Sequence, residues 1–426
     1  MIPFSLDEIE ALCPGRLERA PWADEVTGVQ VDSRRIDEGD LFVAIGDGTD
    51  YLPHAFARGA AGVLVADDAF SALAALGSAV RARSSAKIVG ITGSTGKTST
   101  KDILAGLCSP HAPTVASEGG HNNEIGLPLT LARIDEDTQI VVCEMGMRGI
   151  GQIADLCATA RPEIGVITSI GPVHLELLGT VECVAEAKAE VVASLPAGGI
   201  AIAPADRLLE PYLARDDIEV RRFRPEDVLE FEPAEEQSRL RLKVGKREVE
   251  LDVPFTARYQ ALNALAALHA YDALGLPLDE AQRGASGIAL SRWRGEEVEL
   301  PGGGLLINDA YNANPVSMKA ALAHLAERAG SRRKVAILGE MAELGPAAPA
   351  LHAEVGRAAR ELGVEIVLTV GSLAREYGDA RWVETAEEAV TALDDVLRPG
   401  DAVIVKASRA LGLECVAEVI QAVRVS

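Results

Sequence analysis

Apolar residues in this 426-residue chain recur in two rhythms. Short, nearly continuous apolar runs bounded by glycine or polar residues read as buried strands: 28–32, 40–45, 62–67, 87–92, 139–143, 165–168, 334–338, 366–370 and 402–406. The stretches between them carry helical periodicity. Strand alternating with helix predicts parallel sheets, with ligand sites at the carboxyl ends of the strands. Charged and apolar residues alternate around Gly245 (RLRLKV-GK-REVELDV), which predicts an antiparallel hairpin appended to the central sheet, followed by a helix over about 257–274. A second hairpin (EEVEL-PGGG-LLIND) opens a further unit near Ser291. The polar stretch RARSSA (81–86) reads as a linker.

The expected fold class is therefore three-domain α/β. Residues 1–85 form a small α/β domain. Residues 86–290 form a parallel-sheet domain with the hairpin, and residues 291–426 a Rossmann-like domain. Composition narrows the partners: a net charge of −23 argues against a nucleic-acid binder, which needs a net basic face. Six scattered cysteines, without a C-x-x-C pair, read as reduced thiols and offer no structural zinc site. No run approaches 18 apolar residues, and the N-terminus lacks the basic and apolar regions of a signal peptide. The expectation is a cytoplasmic protein without membrane insertion, acting as a monomer on small molecules.

The chemistry starts after KIVGIT. Gly93-Ser94-Thr95-Gly96-Lys97-Thr98-Ser99 joins a strand to a helix bearing Ile103, Leu104 and Leu107. Glycines let backbone N–H groups approach phosphate oxygens, the helix start adds positive charge, Lys97 reaches the β/γ-phosphates, and the Thr98 hydroxyl suits Mg²⁺. ATP is the expected occupant, although the strict motif's first glycine is replaced by Ile91. Glu144 ends the strand QIVVCE, where it suits a metal or is simply a solvated strand end. His174 follows the next strand (GVITSI-GPVHLE) and reads equally as ligand or ordinary histidine. Lys188, on a helix capped by Thr180 with Val184 and Val191 as its apolar stripe, reads by itself as a solvated charge.

Taken together, TGSTGKTSTKD, HNNEIGLPLTLARI, VCEMGMRGIGQI, TSIGPVHLELLG, AKAEVV and NDAYNANPVSM resemble the Mur ligases, ATP-dependent amide-bond-forming enzymes of peptidoglycan assembly. The similarity spans essentially the whole chain, including VDSRRIDEGDLFVAI, LGEMAELG and GDAVIVKASRALGLE. The resemblance implies joining of D-Ala-D-Ala to UDP-MurNAc-tripeptide through an acyl phosphate. It implies catalytic roles for Lys97, Glu144, His174, Lys188 and Arg294, and Mg²⁺ on Thr98, Glu144, His174 and a carbamylated Lys188. ATP would meet the loop 93–99, Asn263, Arg294, Asp309, Tyr311 and Asn312. The other substrates would meet Ser33, Arg34, Asn122, Asn123 and Asn314. Where the family usually has His-Asn, this chain has Tyr259-Gln260. The rival readings are a Mur-type amino-acid or folate ligase with another acceptor, and a P-loop kinase or ATPase flanked by interaction domains.

Overall fold

The computed structural model describes residues 1–423. The central sheet has six strands, all parallel, in the order Glu219–Phe223, Ile200–Pro204, Ile164–Ile167, Lys87–Thr92, Ile140–Glu144, Thr114–Ala116. Lys87–Thr92, whose residues 88–92 are all buried, lies third from one edge and is paired on both sides. Its end is thereby flanked by the ends of Ile140–Glu144 and Ile164–Ile167. That is where the crevice of a parallel sheet opens.

The pattern Ser238–Val244 pairs with Arg247–Val253 as predicted, turning at Gly245 (φ +61°). It is not part of the parallel sheet. A third strand, Val228–Pro233, completes a separate antiparallel sheet. Only Phe231 of that edge strand is buried, so its sequence carries little alternation. The inner face (Leu240, Leu242, Val249, Leu251) packs with the helix Gln260–Ala273 and with Ile103, Leu104 and Leu107 of the helix Lys97–Cys108 in one core. This packing holds the helix that follows the glycine loop.

The C-terminal sheet has the order Glu296–Leu300, Gly304–Asn308, Ala402–Lys406, Lys334–Gly339, Ile366–Val370, Arg381–Val383, with only the first strand antiparallel. The N-terminal sheet joins Gly15–Arg19, Gly62–Ala66, Asp40–Val43 and Gly28–Gln30. The stretch 81–86 is only partly a linker, because the helix Ala69–Arg83 runs through its first half. Arg81 and Arg83 look polar in sequence, but the Arg81 guanidinium donates to Ala160 O (3.1 Å) and Ser84 O (3.1 Å). Leu73, Leu76 and Val80 of this helix share a core with Leu127, Leu131 and Leu156 of the central unit. Among the described residues no helix is long and apolar enough to cross a membrane.

Candidate active site

The glycine loop is built by two close approaches. At Gly93 (φ +150°) a Cβ would lie 1.9 Å from Thr168 Oγ1, and at Gly96 (φ +82°) 2.1 Å from Asn263 Oδ1. Neither position tolerates a side chain without displacing its neighbour. The intervening residues are braced by the adjacent strand end. Ser94 N–H donates to Ser169 O (2.9 Å), the Ser94 hydroxyl donates to Gly171 O (3.1 Å), and Thr95 N–H donates to Ser169 Oγ (2.9 Å). The Ser94 side chain is thus committed to shaping the loop. Lys97 opens the helix Lys97–Cys108 and donates from Nζ to Gly93 O (3.0 Å). Thr98 and Ser99 are buried in the first turn.

Glu144, Lys97, His174 and Lys188 share one electrostatic neighbourhood. Glu144 is 1% exposed. Its Oε1 accepts from Asn122 Nδ2 (2.8 Å), its N–H donates to Ser117 Oγ (3.1 Å), and its Oε2 is buried without a partner. His174 has a left-handed backbone (φ +54°) ahead of the short helix Leu175–Leu178, and its Nδ1 is bonded to Glu343. Lys188, on the Thr180-capped helix Val181–Ala193, is 2% exposed, and no hydrogen bond or ion pair of its ammonium is found among the described residues. Burial pushes its pKa well below the ordinary lysine value, and the nearby Lys97 charge pushes the same way. Burial also lowers Lys97, against the pull of Glu144. Burial lowers His174, against Glu343 and with Lys188 and Lys97.

The C-terminal unit covers this cluster. Arg294 Nη2 donates to Thr98 Oγ1 (2.8 Å), its guanidinium lies 3.8 Å over the Tyr311 ring, and its buried Nε has no partner. The Tyr311 hydroxyl abuts Gly120, where a Cβ would come within 1.7 Å. Asp309 pairs with the buried Lys406 Nζ (2.7 Å), which also donates to Asn312 O (2.9 Å). Asn263, beside the loop, donates from Nδ2 to Gln260 Oε1 (2.6 Å). The residue that departs from the family pattern therefore orients the one that follows it.

Several expected substrate contacts have other engagements. Asn314 Oδ1 accepts from Ser317 N–H (2.9 Å) as the cap of Pro315–Ala329. Asn123 Oδ1 accepts from Gly126 N–H (3.0 Å) at the start of Gly126–Leu131, and Asn312 Oδ1 from Ala313 N–H (2.9 Å). Ser33 and Arg34, expected at the uridine-diphosphate end, lie in the short turn Ser33–Arg35 of the N-terminal unit. Ser33 is buried against His54 Nδ1 (2.9 Å), and Arg34 chelates Asp32 (2.7 Å), holding that carboxyl near pKa 2. The neighbouring cleft, about 380 Å³, is lined instead by Gln30, Arg35, Glu118 and Arg133. Sequence reasoning missed Ser117, Thr168, Ser169, Lys406 and Glu343 as parts of the site. The run T-S after a strand that borders the loop, and the lysine ending the strand beside Asp309, were the available signals.

Known proteins resemble this chain over nearly its whole length. Residues 91–271 match the Mur ligase middle domain, and residues 293–409 the Mur ligase, glutamate ligase domain. The UDP-N-acetylmuramoyl-tripeptide–D-alanyl-D-alanine ligases of Bacillus subtilis and Escherichia coli are 30% and 32% identical. They align over 97% and 99% of this chain and equal shares of their own. A crystal structure of MurF from Acinetobacter baumannii superposes with a TM-score of 0.86 at 26% identity, covering 98% of this chain and 99% of that one. MurF from Thermotoga maritima, in complex with ADP, gives 0.79 at 26% identity, covering 93% and 97%.

Proposed function

The chain belongs to the Mur ligase family, and from that premise we propose that it joins D-Ala-D-Ala to UDP-MurNAc-tripeptide, converting ATP to ADP and phosphate. The observation that carries the reading is the convergence of Lys97, Glu144, His174 and Lys188 at the carboxyl end of the central sheet, under an arginine supplied by the C-terminal unit. The tripeptide carboxylate attacks the γ-phosphorus of ATP. A carboxyl O–P bond forms, the bond to the β-phosphate oxygen breaks, and ADP leaves. The amine of D-Ala-D-Ala then attacks the acyl carbon, loses a proton, and phosphate departs. Two anions must meet in line, so the protein's contribution is charge neutralisation and positioning. Lys97 and the buried, unpartnered Nε of Arg294 are the donors available to phosphate oxygens. The cover formed by Tyr311 on Gly120 keeps water from the labile acyl phosphate.

The residues fit a magnesium ion. Glu144 Oε2 is an orphaned buried acceptor, and the Thr98 hydroxyl and His174 Nε2 would be the further protein donors. An ion held by one carboxylate would take its remaining ligands from substrate phosphates and water. When bound, the ion supplies charge neutralisation on the phosphates. Burial and the Lys97 charge lower the Lys188 pKa and so favour the neutral amine, the form that attacks CO₂, and carbamylation would place an anion beside Lys97. Residues 1–85 are assigned to the UDP-sugar end, 86–290 to ATP, and 291–426 to the dipeptide and to closure. A cytoplasmic location and a monomeric state belong to the same reading.

The test is ADP release with and without the two authentic substrates, with hydroxylamine present to trap the activated carboxyl. Hydroxamate formed only with the tripeptide nucleotide, and turnover that needs D-Ala-D-Ala, is the expected result. ADP release indifferent to both would instead identify an ATPase.

A further inference from the structure

The segment LGEMAELG (338–345) follows the strand Lys334–Gly339 in the C-terminal unit and has no part in the nucleotide cradle described above. Its Glu343 nevertheless crosses to the central unit. The backbone there is left-handed (φ +62°), a conformation unfavourable for a non-glycine residue that persists only where surrounding contacts fix it. Three contacts do so. Glu343 O accepts from Glu176 N–H (3.1 Å), its Oε1 faces the Arg148 guanidinium (3.3 Å), and its Oε2 is bonded to His174 Nδ1. Two residues on, Gly345 (φ +54°) presses so closely on Glu176 that a Cβ would lie 3.0 Å from Glu176 Cα.

We propose that Glu343 is a positioning residue that fixes the ring and tautomer of His174 from across the domain boundary. A carboxylate can only accept, so the shared proton sits on Nδ1, and in the neutral ring Nε2 then keeps its lone pair for a cation. A carboxylate behind a metal-binding imidazole orients the ring and strengthens it as a ligand. Here that carboxylate belongs to a different domain from the imidazole and from the glycine loop. The histidine is therefore set only when the C-terminal unit is seated. Arg148, on the segment after Glu144, holds the other carboxylate oxygen and so keeps Oε2 aimed at the ring. The Mur-ligase reading supplies the expectation that His174 meets a metal. The tautomer assignment depends on the contact alone.

The experiment uses the full chain with ¹⁵N-labelled histidine, assigned with His174→Gln, and compares wild type, Glu343→Ala and Glu343→Asp. Long-range ¹H–¹⁵N spectra should place the proton on Nδ1 in wild type and move it to Nε2 in Glu343→Ala. Binding of Mn²⁺ with ADP, followed by electron paramagnetic resonance, should weaken about 10- to 100-fold in Glu343→Ala, with partial recovery in Glu343→Asp. In the ligation assay kcat should fall while KM for the tripeptide nucleotide holds. The same tautomer in wild type and Glu343→Ala, or unchanged Mn²⁺ affinity, overturns the proposal. An enzyme inactive towards the named substrates but showing both shifts would instead refute the functional reading and leave this one standing.

Discussion

Gly96→Ala isolates the left-handed turn that aims the phosphate loop. The new methyl would sit 2.1 Å from Asn263 Oδ1 and 3.0 Å from its Cγ, at a backbone φ of +82°. The backbone conformation alone costs an alanine about 1–2 kcal/mol. The amide of Asn263 must also turn away, breaking its 2.6 Å bond to Gln260, which contributes about 1 kcal/mol. The expected loss is about 2–3 kcal/mol, read as an earlier midpoint for the central unit in urea. A loop displaced by about 1 Å should also lower ligation by about 100-fold. The decisive measurement repeats the substitution in an Asn263→Ala background, where the methyl meets no amide. There the stability cost should shrink by about 1 kcal/mol, leaving only the backbone share. If Gly96→Ala unfolds within about 0.5 kcal/mol of wild type, or costs the same in both backgrounds, the close approach is not what shapes the loop.

Three further outcomes are expected. Lys97→Ala should leave folding intact and cut ligation by at least about 10²–10³-fold; near-normal turnover in the soluble variant would contradict the assigned role of the loop. Lys188→Ala should be inactive and regain partial activity with a short-chain carboxylic acid, which replaces the proposed carbamate; full activity without rescue would return Lys188 to a packing role. Acid stability should reflect His352, which is buried with Nε2 accepting from Met341 N–H (2.9 Å) and Nδ1 donating to Ala348 O (2.7 Å), so that it folds neutral. Burial depresses its folded pKa below 6.5, so its contribution is intact above about pH 6.5 and is lost as the pH falls from there, by up to about 1.4 kcal/mol per pH unit. Urea midpoints at pH 7.5 and 5.5 measure it, and equal midpoints in wild type would refute the sign.

Local features were legible because their causes are local. The run Lys87–Thr92, the glycines after it and the helix start lie within a dozen residues, and backbone sterics with hydrogen bonding fix such a turn before any long-range contact forms. The hairpin about Gly245 announced itself by strict alternation, whereas Val228–Pro233, with one buried side chain, did not. Ser33 and Arg34 show what the motif alone did not reveal: His54 and Asp32 are the side-chain partners that position them.

What the linear order of residues settled by itself is the α/β class, the phosphate loop and the identity of the charged groups at the strand ends. What required the folded chain is the state and aim of those groups. Lys188 has the spacing of a surface lysine, yet packing around Val181–Ala193 strips its water and pushes its pKa well below the ordinary lysine value. Arg294 meets Thr98 across 196 positions, and Glu343 meets His174 across 169. Desolvation and contact across such separations depend on how layers stack, a property that no window along the sequence contains.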